Sequence, residues 1–449
     1  MDLSEEQQLA FDKYIQRQNI FITGPGGTGK STLIKRIQQD AVTKGRTIQV
    51  CALTGCAAVL LQCKAKTIHS WSGIGLGNGE IAFYVDKIQK NFYKKKIWKQ
   101  ADILVIDEIS MMSQKLFDML DAIGKAVRKN NKPFGGIQVI FLGDFYQLPP
   151  IGDKDEPETM RFCFESEQWE TTFHKENTIQ LKKIFRQTDK VYTKILNQIR
   201  EGRLSKSSYD ILKNLVGRKV EDTVTVQPTK LFPIRNSVDF INKTKMAELQ
   251  TTGYEYKIKY LRTIEKPKVK SNTREMSDIN KTQKIFTSEQ VENELKHIHG
   301  NLLCDDTISL KVGSQVMCIV NIEQSTGEMI CNGSQGIIIR FNESNLPVVK
   351  YTNQCEIVMN YHIWESDIIP GIGVSQIPLI LAWAITIHKS QGATMDMAEV
   401  DVGSGVFECG QTYVALSRVK SLEGLYLTSF DSNKILINRK VREFYDGLK

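Results

Sequence analysis

Four glycines fall within the six positions Gly24-Pro25-Gly26-Gly27-Thr28-Gly29, immediately followed by Lys30 and Ser31. The apolar stretch NIFIT leads into this run, and the amphipathic start STLIKRI leads out of it. No other feature of the chain restricts its fold as far. Glycines free the backbone to curl so that successive N–H groups point inward, and the following helix adds the positive end of its dipole. Strand, glycine loop and helix in that order make a phosphate-binding turn at the carboxyl edge of a parallel sheet. Lys30 then reaches the β- and γ-phosphates, and the Ser31 hydroxyl serves a Mg²⁺ ion. A chance match to GxxxxGK[ST] in a chain of this length is about 2% on average residue usage. The alternative is a glycine-rich turn with no ligand.

Further apolar runs follow the same grammar: Ile20–Ile22, Ile48–Leu53, Ile103–Ile106 and Val139–Leu142, each succeeded by a helical pattern. Such runs read as strands buried on both faces of a parallel α/β sheet, with ligands beyond their carboxyl ends. Those ends carry GPGGTGKS, TGCAA, DEIS and GDFYQLPP. Taken alone, Asp107-Glu108 after ILVI reads as a helix cap favoured by the dipole. Behind a phosphate loop, Asp107 completes the Mg²⁺ shell and Glu108 deprotonates the attacking water, which makes an NTP-hydrolysing site. Gln147 in GDFYQLPP is either a turn residue or a sensor of the γ-phosphate. Arg186 in IFRQ and Arg418 in ALSR are candidates to neutralise transition-state charge, with surface charge as the alternative. Both lie far along the chain from the loop, so each needs a second domain folded against the first.

A length of 449 residues fits about three domains, and 41% hydrophobic with 24% charged residues is too apolar for disorder. The segment from about Tyr256 to Gln290, dense in charge, Thr and Asn, reads as a solvated connection or variable insertion. From about Ile308 to Ile368 the pattern turns to short alternating strands with glycine turns, a small β-barrel module. Strand–helix alternation returns with PLILAWAITIHKSQG. The formal net charge of +8 permits a polyanion partner. The longest apolar stretch, Leu379–Ile387, is far short of the ~18 residues of a membrane span. MDLSEEQQ has neither secretory nor transit character. Nine cysteines, none at CxxC spacing, point to reduced thiols in an intracellular protein rather than to a disulfide framework or zinc site.

The motifs together resemble the PIF (petite integration frequency) DNA helicases, in the 5′→3′ branch of helicase superfamily one, over nearly the whole chain. LSEEQQLAF resembles the family's glutamine motif, ALTGCAAVLL and TIHSWSGIG its next two motifs, and LVIDEISMM its hydrolysis motif. DMLDAIGKAVRKNNKPFGGIQVIFLGDFYQLPP resembles the family's own signature segment running into the sensor motif. LKKIFRQ, AWAITIHKSQGATMD and GQTYVALSRVKSLEGLYL resemble the remaining motifs in their usual order. The chain departs from the pattern at LFPIRN, where a Thr is expected before the Asn, and in the Lys-rich stretch 256–290.

The resemblance implies an α/β protein with two RecA-like P-loop motor domains clasping ATP. It places the first domain at 1–190 with a wedge insertion near 67–100, and the second at 191–255 and 371–449. A variable charged insertion occupies 256–305 and an SH3-like β module 306–370. The implied ATP-binding set is Gln7, Gly24, Pro25, Gly26, Gly27, Thr28, Gly29, Lys30, Ser31, Thr32, Gln391 and Gly392, with Gln7 reading adenine. Ser31 and Asp107 hold Mg²⁺; Lys30, Asp107, Glu108, Gln147, Arg186 and Arg418 form the catalytic set. Thr54, His69, Phe145, Thr386 and His388 line the DNA path, and Trp71 offers a second base-stacking ring. The run Tyr93–Lys99 mixes basic and aromatic residues as a nucleic-acid contact does, or as a solvated helix face does. The implied activity is an ATP-dependent 5′→3′ helicase on single-stranded DNA and forked or tailed duplexes, serving replication, repair, recombination or telomere maintenance. G-quadruplexes and RNA–DNA hybrids are further substrates of such a motor, and the chain is expected to act as a monomer away from membranes. An RNA helicase of the same superfamily and an ATP-gated, non-translocating DNA clamp remain the alternatives.

Overall fold

Ile20, Phe21 and Ile22 alternate across a strand, and all three are fully buried, because both faces of the sheet they enter are covered. The computed structural model describes residues 3–448, except 62, 76, 78, 188, 221–225, 264–285, 301, 324–328, 367–368, 388 and 391. The chain forms two compact units, Met1–Gly217 with Asp401–Lys449, and Arg218–Val400.

The first unit is built on strands β1 (Ile20–Thr23), β2 (Ile48–Ala52), β3 (Lys66–Thr67), β4 (Ile103–Asp107), β5 (Gln138–Gly143) and β6 (Thr178–Gln180). They lie in the order β3-β2-β4-β5-β1-β6, and every neighbouring pair is parallel. One face packs Ile20, Ile22, Val50, Val105, Ile140 and Leu142 against α1 (Glu5–Ile15), α2 (Lys30–Thr43) and α3 (Gly55–Leu61). The other packs Phe21, Leu104, Ile106, Val139 and Phe141 against α4 (Ile68–Ser72), α5 (Ile81–Lys90), α6 (Phe92–Gln100) and α7 (Gln114–Arg128). The unit also contains α8 (Trp169–Thr172), α9 (Lys190–Glu201) and the C-terminal helix Arg439–Asp446.

α7 forms because Leu116, Leu120, Ile123 and Val127 recur at helical spacing and the Ser113 hydroxyl accepts the Leu116 N–H at 3.2 Å. Its Gly124 lies against the backbone of the Pro133–Gly136 turn, where an added Cβ would stand 2.7 Å from the Phe134 carbonyl. Arg128 locks this corner by donating to the carbonyls of Trp98, Lys99, Ala101 and Gly135 at 2.8–3.0 Å. The signature segment thus ties the end of α6 to the entry of β5.

Register aligns the strand ends: Thr23 stands beside Gly143, and Ala52 beside Asp107. The glycine loop, Glu108, Asp144 and Thr54 therefore leave the sheet along one edge.

The domain boundaries implied by the resemblance differ from the packing at two places. Residues 191–217 and 401–449 pack in the same unit as the glycine loop. The physical reason lies in Phe444 and Tyr445 of the C-terminal helix, whose rings enter the aromatic cluster of Phe21, Phe145 and Trp169. Of the stretch 256–290, read as a solvated connection, the first residues lie in strands, since ladder pairing satisfies the backbone despite polar side chains, and residues 264–285 fall outside the described residues.

In the second unit β7 (Thr229–Phe232) supplies the first strand, and β8 (Gly253–Lys257) pairs antiparallel with β10 (Thr307–Lys311). β9 (Lys259–Leu261) joins β17 (His362–Glu365) and β18 (Gly373–Gln376), and the helix Ser288–Gly300 packs Leu295 against this sheet. Within the stretch expected to form a β module, residues 315–358 supply four strands of an antiparallel sheet ordered β16-β15-β14-β11-β19, whose fifth strand comes from residues 379–381. Its members are β11 (Gln315–Cys318), β14 (Gln335–Phe341), β15 (Pro347–Tyr351), β16 (Glu356–Val358) and β19 (Leu379–Leu381); β12 (Ile322–Glu323) pairs with β13 (Met329–Ile330). β20 (Ala384–Thr386) and β21 (Ala398–Val402) run parallel to β7 on either side of it. Among the described residues no helix is long and apolar enough to cross a membrane.

Candidate active site

The loop after β1 holds Gly24, Gly27 and Gly29 at φ of 145°, 83° and 79°, where L side chains are strained. A Cβ on Gly27 would sit 2.5 Å from that of Arg186, so the loop is a cradle that only glycine closes. α2 begins at Lys30 with no side-chain cap and no acid in its first turn, leaving its N–H groups and dipole for an anion. Lys30 Nζ donates to the carbonyls of Gly24 at 2.7 Å and Pro25 at 3.0 Å. Burial lowers its pKa, while the nearby carboxylates of Asp144, Glu108 and Asp107 pull it back up.

Gln7 is buried and uses its amide on the protein: Oε1 accepts the Ser4 N–H at 2.9 Å and Nε2 donates to the Thr28 carbonyl at 3.1 Å. It braces α1 against the loop. Asp107 ends β4; burial first, and then Glu108, raise its pKa to about 7. Its Oδ1 accepts the Glu108 N–H at 2.9 Å. Glu108 itself sits at φ 55°, a left-handed conformation that costs a non-glycine residue of order 1–3 kcal/mol. Gln147 is buried, and its Oε1 has no hydrogen-bond partner among the described residues.

Arg186 and Arg418, 232 positions apart in sequence (418 − 186), both come over Gly26. A Cβ there would lie 3.6 Å from Arg186 Nη1, 3.8 Å from Arg418 Nη2 and 3.8 Å from Tyr413 Oη. Arg186 Nη1 donates to the Ser417 carbonyl at 3.2 Å. Arg418 donates from Nε to the Val414 carbonyl and from Nη2 to Ser417 Oγ, each at 2.8 Å. Burial and the neighbouring Arg186 push the Arg418 pKa down to about 9. Two adjacent guanidiniums with neutral hydrogen-bond partners form a seat for a multiply charged anion. The glycine cradle, the uncapped helix, Lys30, both arginines and the unpaired Gln147 oxygen fit a nucleoside triphosphate. The Ser31 hydroxyl and the Asp107 carboxylate are hard oxygen donors of the kind Mg²⁺ takes alongside phosphates.

Thr54 and His69 line a cavity of about 900 Å³ at the same sheet edge, together with Met111, Lys115, Ile151 and Asp153. Burial lowers the His69 pKa, which keeps the ring neutral at pH 7. Phe145 is not available for base stacking. It is 1% exposed and surrounded by Phe21, Phe162, Phe164, Trp169 and Phe444. Trp71 is likewise core, packed on Trp98 with ring centroids 4.6 Å apart. In the basic-aromatic run Tyr93–Lys99, Tyr93 is exposed and Trp98 is buried. Thr386 and Gly392 lie in the second unit; His388 and Gln391 fall outside the described residues.

Two features of the site were not singled out in the sequence reading, although each falls partly within a motif quoted there. One is Tyr413, whose Oη accepts the Gly26 N–H at 2.9 Å. The other is a buried cluster behind the loop, in which Arg200 of α9 donates twice to Asp144 at 2.8 Å. Tyr445 joins it, its hydroxyl 2.5 Å from Thr23 Oγ1 and its ring stacked on Tyr146.

Residues 2–210 match the family model described as PIF1-like helicase, and residues 294–341 that of the DNA helicase Pif1 2B domain. The ATP-dependent DNA helicase RRM3 of Saccharomyces cerevisiae is 32% identical over 503 aligned residues, covering 100% of this chain and 68% of that protein. The chain spans 61–68% of the length of the fungal and vertebrate relatives it matches. A crystal structure of Bacteroides Pif1 in complex with ADP-AlF4 matches with TM-score 0.77 and 29% identity, covering 100% of this chain and 97% of that one. Bacteroides Pif1 in complex with ADP-AlF3 and single-stranded DNA matches with TM-score 0.64 and 29% identity at the same coverage. On motif order, sheet topology, site geometry and full-length similarity together, the chain belongs to the PIF1-like helicases.

Proposed function

We propose that this chain is an ATP- and Mg²⁺-dependent motor that moves 5′→3′ on single-stranded DNA and unwinds duplex ahead of it. The observation that carries the reading is the convergence of Arg186, Arg418 and Lys30 on one glycine loop. A binding clamp needs the loop and the lysine; two arginines over Gly26 serve charge that develops during phosphoryl transfer. The similarity to helicases crystallised with nucleotide analogues and with single-stranded DNA supports the same substrates here.

The finer architecture follows the family: two RecA-like domains, a wedge at about 67–100 and an SH3-like module at 306–370. ATP with Mg²⁺ supplies the phosphoanhydride whose hydrolysis drives the cycle. Lys30 and the loop N–H groups bind and orient the phosphates, and Ser31 and Asp107 hold the metal. Glu108, raised out of the strand by its left-handed backbone, takes the proton from water. Gln147 presents its unpaired oxygen to that water, and the arginines meet charge on the transferring group. Thr54 and His69 contact DNA in their cavity, a neutral His69 acting through hydrogen bonding and stacking. Thr386 and His388 are the corresponding residues of the second unit.

ATP hydrolysis with and without single-stranded DNA tests the reading. The strand should stimulate the wild type, Lys30→Ala should abolish turnover, and Glu108→Gln should bind ATP without turning it over. Near-normal turnover in Glu108→Gln would remove it as general base.

A further inference from the structure

The short helix Gln411–Leu416 touches the nucleotide loop, the sensor loop and the arginine pair at once. At its cap, a Cβ on Gly410 would stand 2.5 Å from the Gln147 carbonyl oxygen, so the helix starts directly on the loop after β5. In its middle, Tyr413 is 2% exposed and its hydroxyl accepts the Gly26 N–H at 2.9 Å. At its end, the Val414 carbonyl accepts from Arg418 Nε at 2.8 Å. A hydroxyl accepts and donates. Burial pushes the Tyr413 pKa up to about 12, so at neutral pH the group keeps its hydrogen for a second partner. Loop N–H groups of this kind are the donors that phosphate oxygens use, and Gly26 is the glycine over which both arginines stand.

We propose that Tyr413 reads the terminal phosphate, its hydroxyl holding the Gly26 N–H until a nucleoside triphosphate takes that N–H and receives the tyrosine hydrogen bond in exchange. The proposal rests on the nucleotide reading of the loop. A diphosphate lacks the terminal phosphoryl group that takes this N–H, so it does not make the exchange. Because Tyr413 and the Val414 carbonyl share one helical turn, the exchange is passed to Arg418 and to the loop carrying Gln147. Tyr413 is therefore a specificity-determining and positioning residue.

Affinities for ADP and for the non-hydrolysable triphosphate AMP-PNP, each with Mg²⁺, should be measured on the full chain and on Tyr413→Phe, with melting temperature alongside. A hydrogen bond to a charged oxygen implies a loss of about tenfold or more for AMP-PNP and less than about twofold for ADP. Equal losses for both nucleotides, or none, would overturn the proposal. Hydrogen exchange on the wild-type chain needs no variant. Peptides covering Gly26 and Tyr413 should gain more protection from AMP-PNP than from ADP, and identical protection also overturns the proposal. A wild-type chain that binds neither nucleotide overturns the nucleotide reading itself; normal binding with no discrimination at Tyr413 overturns only the proposal.

Discussion

Arg200 and Asp144 form the most deeply buried ion pair of the first unit, and its removal has a calculable cost. Asp144 is fully buried, and Arg200 Nε and Nη2 donate to its two oxygens at 2.8 Å each. The guanidinium also lies 4.5 Å from the Tyr146 ring centroid and 5.3 Å from that of Tyr445. Burial opposes the arginine's charge, yet the Asp144 carboxylate outweighs it and raises the pKa. Arg200→Met keeps much of the volume but strands a carboxylate with no counter-ion, which costs about 3–5 kcal/mol. At roughly 2–4 °C per kcal/mol for a unit of this size, melting should fall by about 6–20 °C. Adding Asp144→Asn removes the stranded charge, so the double variant should recover much of the loss. Urea unfolding of the wild type, both single variants and the double variant gives the coupling directly. A loss under about 1 kcal/mol in Arg200→Met, or strictly additive singles, would refute the reasoning.

Arg186→Ala, Arg418→Ala and both Lys versions should lose on the order of 10³–10⁵ in kcat while holding ATP affinity within roughly tenfold, because Lys lacks the planar fork. Steady-state kinetics with melting temperatures check this, and normal turnover in a folded variant removes that arginine from the site. Asp107 should make stability depend on pH without Mg²⁺. Its folded pKa, raised to about 7 from 3.8, means that protonation stabilises the native state fully at low pH and that this contribution is lost as pH rises through 7. Asp107→Asn should therefore melt above the wild type at pH 8.5, the gap narrowing toward pH 5.5; a gap of the opposite sign contradicts the assignment.

The strands and the phosphate loop were legible because they are local: buried runs such as ILVI and a glycine pattern ahead of Lys30 carry their meaning within a few residues. The placement of Asp107, Glu108 and Gln147 at one edge of the sheet was legible because parallel strands bring the residues at their carboxyl ends there. Tyr413 was not: it falls inside the quoted motif that carries Arg418, but its partner Gly26 lies 387 positions away. The Asp144–Arg200–Tyr445 cluster has the same character, with Tyr445 301 positions from Asp144. Phe145 misleads for a different reason: an aromatic after a strand has the same local sequence whether it meets DNA or a cluster of other rings. The strands at 253–261 were hidden by composition, because ladder hydrogen bonds do not depend on apolar side chains.

Directional motion on DNA, driven by this nucleotide site, is tested most directly by an unwinding assay. Duplexes with a 5′ DNA tail, a 3′ DNA tail or a 5′ RNA tail are incubated with ATP and Mg²⁺, with Lys30→Ala as the control. The 5′ DNA-tailed duplex should be unwound by the wild type, the 3′-tailed duplex should stay intact, and Lys30→Ala should unwind neither. Preferential unwinding of the 3′-tailed or RNA-tailed duplex, or robust ATP hydrolysis with no strand separated, would contradict the account.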